Sequence, residues 1–191
     1  TFCVPMASVI HGFIYNKDVF DELGLEVPTT NEEFYEVLDA IKEDGFYAPL
    51  VMGTTDQWEA ATMGYQNIGP NYWKGEEGRL GLINGTARYN EGGFLEAFEA
   101  LARWRPYLPR GYQAIRYSDA QNLFAQGTGA IYPAGSWDIS VFRDMVGDFF
   151  EMGAFPPPLP EGATQCYISD HIDIGIGANA ASPNREAALK F

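Results

Sequence analysis

The sequence predicts an α/β fold in which a layered sheet is flanked by helices. Short β-rich runs alternate along the chain with amphipathic helical stretches, the pattern of strands covered by helices. Capping residues and glycines mark where the helices start and stop. The chain has 191 residues, 46% of them hydrophobic, enough to bury one sizeable core without disulfide or metal staples.

In chain order, "SVIHGFIYN" (8–16) is β-rich and alternates loosely, so it reads as a strand. "KDVFDELGL" (17–25) reads as a short helix stopped by Gly24. Thr30 and Glu33 have the spacing of a capping box, and Phe34, Val37, Leu38 and Ile41 repeat at helical spacing up to Gly45. "YAPLVMG" (47–53) is a short buried-type strand, and 56–69 is a helix expected to stop at Gly69 and Pro70. Residues 70–93, rich in Gly, Asn and Tyr, read as loops. A helix over 91–108 carries Phe94, Phe98, Leu101 and Trp104 on one side, which assigns Trp104 to the core. Ser118 and Gln121 suggest a second capping box, for a helix that Gly127 ends. A strand leading to "PAG" follows, then a helix over about 138–147, and a strand that runs into the stiff "FPPPLP" segment. The last strand is expected over 173–180, with Ser182 and Pro183 as N-cap and first residue of a final helix.

Charge narrows the function. The net charge is −14 and the isoelectric point about 4.4. Such a surface repels phosphate backbones and anionic headgroups, which argues against nucleic acid and membrane surfaces as partners. No apolar run approaches the roughly 18 residues that a membrane-spanning helix needs. "TFCVPMASV" lacks the basic start of a signal peptide. The chain opens without Met inside a strand pattern and closes inside a helix pattern, so it is expected to be a segment of a longer protein. Cys3 and Cys166 form no disulfide framework and no metal knuckle, although a pair between them stays open.

Most catalytic readings lack partners. Asp138 and Asp170 lie near aromatics and could serve as acid and base on a sugar, but nothing in the sequence sets the separation that hydrolysis requires. The bland alternative is a helix-start aspartate and a loop aspartate. His171 stands between Asp170 and Asp173, yet the only other histidine is His11, too few donors for a zinc site, so no metal is expected. "GTGAIYPAG" lacks the lysine of a phosphate loop, and "AGSWD" is not a nucleophile elbow, so no cofactor is expected.

Aromatic residues remain, at 15% of the chain. Trp58, Trp73 and Trp137 fall at expected loops or element ends beside polar groups, where packing and ligand contact are both open readings. An indole there offers a flat apolar face and one N–H, which suits the C–H face of a sugar ring. With carboxylates nearby, the same box would suit a cation such as a polyamine.

"IYNKDVFDELGLEVPTTNEEFYEVLDAIKEDG" (14–45) resembles a signature stretch of the bacterial extracellular solute-binding proteins of ABC importers, in their carbohydrate-binding branch, through Tyr15, Asn16, Lys17, Gly24, Leu25, Pro28, Thr30, Glu33 and Phe34. Thr29 and Asn31 depart from the commoner Lys and Trp without disturbing the cap. "LFAQGTGAIYPAGSWD" is similar to a second family segment through Phe124, Gly127, Ala130, Gly135 and Trp137, and "FPPPLPEG" and "IGIGANAASPNREAALKF" follow in the family's order. The resemblance implies one lobe of a two-lobe periplasmic-binding-protein-like (type II) fold, spanning 1–191, with hinge-proximal segments at 1–6 and 181–191. It implies a monomeric, non-enzymatic receptor that binds a sugar or oligosaccharide in an interlobe cleft, periplasmic or extracellular, and meets the membrane through the importer's transmembrane subunits. Trp137 would be the stacking floor, with Gly135 and Ser136 leaving room for the ligand and Asp138 beside it. Asp170 and His171 would be polar contacts, and Asp56 and Trp58 would form a neighbouring binding loop. A polyamine receptor and a glycoside-active enzyme using Asp138 and Asp170 are the alternatives.

Overall fold

The computed structural model describes residues 3–190; Thr1, Phe2 and Phe191, parts of the two expected hinge-proximal segments, lie outside the described residues. A mixed sheet in the order β2-β3-β1-β4 forms the middle layer, and β5 pairs with β1 as well. The long strand β1 (Val4–Asn16) organises it. Its second half pairs antiparallel with β3 (Gly129–Gly135) on one side and β4 (Met152–Phe155) on the other, through His11↔Gly135 and Phe13↔Phe155. Its first half pairs only with β5 (Asp170–Ile176), from Val4↔Ile176 to Ile10↔Asp170, with irregular register around Ala7. The short β2 (Ala48–Leu50) joins β3 in parallel.

Side chains of successive strand residues point to opposite faces. Phe13 therefore faces one side, where it stacks on Phe155 at 5.1 Å and meets Trp104 at 5.7 Å and Phe34 at 5.2 Å. Ile14 and its partner Tyr132 face the other, where Tyr132 and Phe124 each lie 4.8 Å from Phe142. Helices α2 (Asn31–Asp44) and α5 (Gly92–Ala102) contribute to the first core through Phe34 and the segment leading to Trp104. Helices α6 (Tyr117–Ala125) and α7 (Asp138–Val146) contribute to the second.

The local signals hold in several places. Thr30 and Glu33 make the expected capping box, and Gly45 ends α2 in the left-handed region at φ 81°. Asn16 caps α1 (Lys17–Leu23), which ends on Gly24. Trp104 is 2% exposed, a core residue as its helical position implied.

Other boundaries move. β1 begins before Ser8, because β5 offers a partner ladder as far as Val4. β5 lies a few residues earlier than expected, since "GANA" has no side chains that hold a strand while "DHIDIGI" does. Gly69 and Pro70 do not end their helix. A π-helical turn (Ala60–Tyr65) leads directly into α3 (Gln66–Trp73), which contains Pro70. Tertiary bonds hold it on both sides of the proline: Asn67 Nδ2 donates to Gly12 O at 2.7 Å and Asn71 Nδ2 to Pro157 O at 3.0 Å. Gly69 serves the neighbouring ring, since a Cβ there would fall 2.0 Å from Trp73.

The expected loop over 70–93 contains a helix, α4 (Glu76–Asn84), whose two internal glycines lower its propensity. Helix α5 stops at Ala102, and Pro106 turns the following residues into a 3-10 segment (Arg105–Tyr107). Phe98 is 45% exposed rather than core. Helix α6 starts one residue before Ser118, with Asp119 Oδ2 accepting from the Arg116 N–H at 3.3 Å. Helix α8 (Arg185–Lys190) begins after Pro183, and Ser182 Oγ accepts from the Asn184 N–H at 3.2 Å. Cys3 and Cys166 are both free and exposed.

Candidate functional site

Trp137 sits between the end of β3 and the start of α7, half-buried, and its orientation is fixed from three directions. Below it, Gly135 has no side chain; a Cβ there would lie 2.0 Å from the indole. The room left by Gly135 is thus taken by Trp137 itself and not by a ligand, which corrects the sequence expectation. At its rim, indole Nε1 donates to Tyr117 Oη at 2.9 Å. At its flank, the ring meets His11 edge-on with centroids 5.4 Å apart.

Tyr117 is held in turn by Asp138. The Tyr117 hydroxyl donates to Asp138 Oδ1, which also accepts from Gln121 Nε2 at 2.9 Å, while Oδ2 accepts from the Gly135 N–H at 3.3 Å. Asp138 is fully buried. Burial raises its pKa, and the three hydrogen bonds oppose the rise. Burial, and then the adjacent Asp138, push the Tyr117 phenol upward. Asp138 is therefore neither a ligand contact nor an exposed acid; it positions the residue that positions the indole. Gln121 belongs to this network and not to a helix cap.

The other expected site residues divide. Trp58 faces the cleft, 37% exposed, with its ring 4.8 Å from Tyr117 and at 62° to it. Asp56 is exposed and does not line the cleft; its Oδ2 accepts from the Tyr117 N–H at 3.0 Å and anchors the start of α6. Ser136 is engaged with β1: its N–H donates to Ile10 O at 2.9 Å and its Oγ accepts from the Ile10 N–H at 3.2 Å. His171 lines the cleft, with Nε2 3.7 Å from Asp173 Oδ1. Asp170 is exposed, accepts from Ser8 Oγ, and borders a neighbouring basin instead. Asp138 and Asp170 thus share no cavity, and Asp138 has no open face toward a glycosidic bond.

The cleft has a volume of about 490 Å³ and is lined by Trp58, Tyr117 and Trp137 with Thr62, Gln66, His171 and Asp173. Thr62, Gln66 and Tyr117 escaped the sequence reading, and Asp173 entered it only as a neighbour of His171. Thr62 and Gln66 are four apart, a spacing that puts both on one side of the π-helical turn; only that spacing pointed to them. Tyr117 had no local signal, because its partners lie 20 and 21 residues away.

Two buried titratable groups underlie the site. His11 is 2% exposed; its Nδ1–H donates to Thr62 O at 3.0 Å, and Nε2 has no partner. Burial, with His171 nearby, lowers its pKa to about 4. Glu59 is fully buried beside Trp58, and neither carboxylate oxygen has a hydrogen-bond partner. Burial, and then Asp56, raise its pKa to about 7, although the backbone N–H groups of Gly53 and Asp56 face it and pull back in part. Among the described residues, no three His, Cys, Asp or Glu side chains come together to hold a metal ion.

Residues 2–191 match the sequence profile described as bacterial extracellular solute-binding protein. The chain is 29% identical over 155 residues to an uncharacterized ABC transporter extracellular-binding protein of Pyrococcus horikoshii, covering 80% of this chain and 35% of that one. It is 26% identical over 200 residues to the multiple sugar-binding protein of Streptococcus mutans, covering 100% of this chain and 46% of that one. Its structure is similar to that of a chitin oligosaccharide binding protein, with a TM-score of 0.83, 24% identity, and coverage of 99% of this chain and 47% of the other. These relatives are binding proteins, and the chain spans half or less of their length. The profile runs through nearly every residue, including both aromatic walls of the cleft, and the chain belongs to the bacterial extracellular solute-binding proteins.

Proposed function

We propose that the chain is one lobe of the substrate-binding component of an ABC importer and binds a neutral sugar for uptake. The observation that carries this reading is the indole of Trp137, laid over Gly135, pinned to Tyr117 and walled by Trp58. Such a platform presents a flat apolar face ringed by hydrogen-bonding groups, here Thr62, Gln66 and His171. A sugar ring has the matching form, an apolar C–H face with hydroxyls at its edge. The multiple sugar-binding and chitin oligosaccharide-binding relatives support the same ligand class.

The second lobe would supply the opposite wall, and closure about a hinge would complete the site. Val4 pairs with Ile176, so the chain around Val4 and the chain around Ile176 lie side by side, which supports a hinge near them. The protein would act as a monomer in the periplasm or at the cell surface and meet the membrane through the importer's transmembrane subunits.

A polyamine fits less well. Asp173 is the one carboxylate lining the cleft among the described residues, since Asp56 is engaged by α6 and Asp138 is sealed. A thermal-shift screen of the full-length protein against neutral sugars and polyamines, at low and high salt, tests the choice. Ligand bound to the native state raises Tm. A neutral sugar should raise it equally at both salt concentrations. A rise seen only with polyamines, and lost in salt as charge screening demands, would overturn the sugar reading.

A further inference from the structure

The wall that carries Trp58 is a short segment anchored at both ends. Before it, the Thr54 and Thr55 N–H groups donate to Tyr112 O and Ile115 O, both at 3.2 Å, and Asp56 Oδ2 holds the Tyr117 N–H. After it, Thr62 O accepts from His11 Nδ1 at 3.0 Å. Between these anchors the Trp58 N–H donates to Asp56 O at 2.7 Å, across Gln57 at a φ of +63°. A three-residue turn with a positive φ at its centre is the rare, strained γ form, and glutamine lacks the freedom of glycine that would relieve it. Trp58 comes next, then Glu59, then the π-helical turn that leads to Thr62 and Gln66 of the cleft.

Glu59 is fully buried, and neither of its oxygens has a hydrogen-bond partner. The groups around it offer no counter-charge. Asp56 shares its turn, Tyr117 of α6 and Tyr132 of β3 act on it from across, and Asp138 of α7 lies beyond Tyr117. Tyr132 Oη is itself buried without a partner. His11 of β1, which holds the same segment at Thr62, is neutral near pH 7, because burial lowers its pKa to about 4. A charge placed there has to be given up or brought to water. The adjoining Gln57–Trp58 turn is the stretch that gains by moving, since movement relieves its positive φ.

We propose that Glu59 is a positioning residue for the cleft: uncharged, it keeps Trp58 packed against Tyr117, and its ionisation releases the Gln57–Trp58 turn and loosens the wall. Ligand affinity then depends on pH. A ligand lying on Trp58 removes further water from the wall, so Glu59 ionises less readily in the bound protein than in the free one. In the free protein burial, and then Asp56, raise its pKa to about 7, and a covering ligand raises it further. The protonated form is the one that binds better, so affinity is full below about pH 7 and falls as pH rises through it. This rests on the reading of the Trp58–Trp137 cleft as the ligand site and adds a control over it.

The test has two arms, both on the full-length protein. The first uses no ligand. Tryptophan is replaced biosynthetically by a fluorinated analogue, and the fluorine resonance of Trp58, assigned by Trp58→Phe, is followed from about pH 5 to 9. It should move with a midpoint near pH 7, and in Glu59→Gln it should stay at its acid position. The second arm is calorimetry with maltotriose, raffinose, mannotriose, xylotriose and chitotriose at about pH 6 and 8.5. For the sugar that binds best, affinity should fall about fivefold or more at the higher pH in the unmodified protein and hold in Glu59→Gln. Should Glu59→Gln not fold, Asp56→Asn takes its place, and loss of the neighbouring charge should carry the resonance midpoint to lower pH. A Trp58 resonance that does not titrate, a titration that survives Glu59→Gln, a midpoint unmoved by Asp56→Asn, or equal affinity at the two pH values would overturn the proposal. Binding of none of the sugars would overturn the sugar reading alone, and the first arm would still decide the role of Glu59.

Discussion

Around Trp104 and around Trp137 the chain gathers the same kinds of residue. Trp104 is 2% exposed and meets the ring edges of Phe13 and Phe34, with Phe155 stacked on Phe13. Trp137 is half-buried, and its nearest fixed neighbour is a hydrogen-bond acceptor, Tyr117 Oη, backed by the sealed carboxylate of Asp138. In the first cluster the rings hold one another by contact, and their apolar area is already removed from water. In the second, polar groups hold one ring in place with a face left open. Aromatic content alone therefore says nothing about role; what a ring's edge is bonded to, and what its face still lacks, separates the two.

The largest effect should come from breaking the first cluster. Trp104→Ala leaves a cavity between α5 and the sheet and should cost about 3–5 kcal/mol of stability. Melting and denaturant curves of the full-length protein check it, with ligand affinity of the folded fraction unchanged. A loss of affinity at full stability would mean that Trp104 belongs to the site.

Breaking the second cluster should invert that outcome. Trp137→Ala should weaken sugar binding by about 1–3 kcal/mol, roughly 5- to 150-fold, and lower Tm little. Trp137→Phe should lose less, because a flat face survives without the N–H donor. Calorimetry beside a melting curve for each variant reads both quantities. If Trp137→Ala only melted earlier and kept its affinity, the indole would be packing and the contrast with Trp104 would vanish.

A smaller effect should appear in the pH dependence, from the acid beneath the cleft wall. Glu59 has its folded pKa raised to about 7 from 4.5. The stability it contributes is fully present below about pH 4.5 and is lost as pH rises through about 7. His11 has the opposite sign. Its folded pKa is lowered to about 4 from 6.5, so its contribution is present above about pH 6.5 and lost as pH falls through about 4. The two slopes oppose each other between these limits. Glu59→Gln should gain stability over the unmodified protein by on the order of 1–2 kcal/mol between pH 5 and 8. Denaturant midpoints across that range measure it; parallel curves would show that Glu59 keeps an ordinary pKa.

Much of the scaffold was readable in the sequence because its signals are local. The capping box of Thr30 and Glu33 lies within one turn, and Gly24 and Gly45 sit where a helix must reverse. The failures arise where tertiary contact overrides a local rule. Pro70 stays inside α3 because Asn67 and Asn71 bond to distant backbone. Gln121 leaves its expected cap for Asp138. Of the residues named from the sequence, Trp58, Trp137 and His171, which stand beside turns, line the cleft, whereas Asp138 and Gly135 are bonded to each other and Ser136 to β1. Tyr117 depends on a meeting between α6 and the β3–α7 turn that no spacing in the sequence encodes.

The four tryptophans are unevenly distributed: Trp104 is in the core, Trp58 and Trp137 line the cleft, the first of two basins, and Trp73 lines the neighbouring second one. Indole emission shifts to shorter wavelength as water is displaced from the ring. Trp104 is already dry, so its light is a constant background, and the changing part of the spectrum comes from the basins. With Trp73 replaced by Phe the remaining signal reports the first basin, and with Trp58 and Trp137 replaced it reports the second. Entry of a ligand into either basin can then be timed by its own colour change, without attaching a dye.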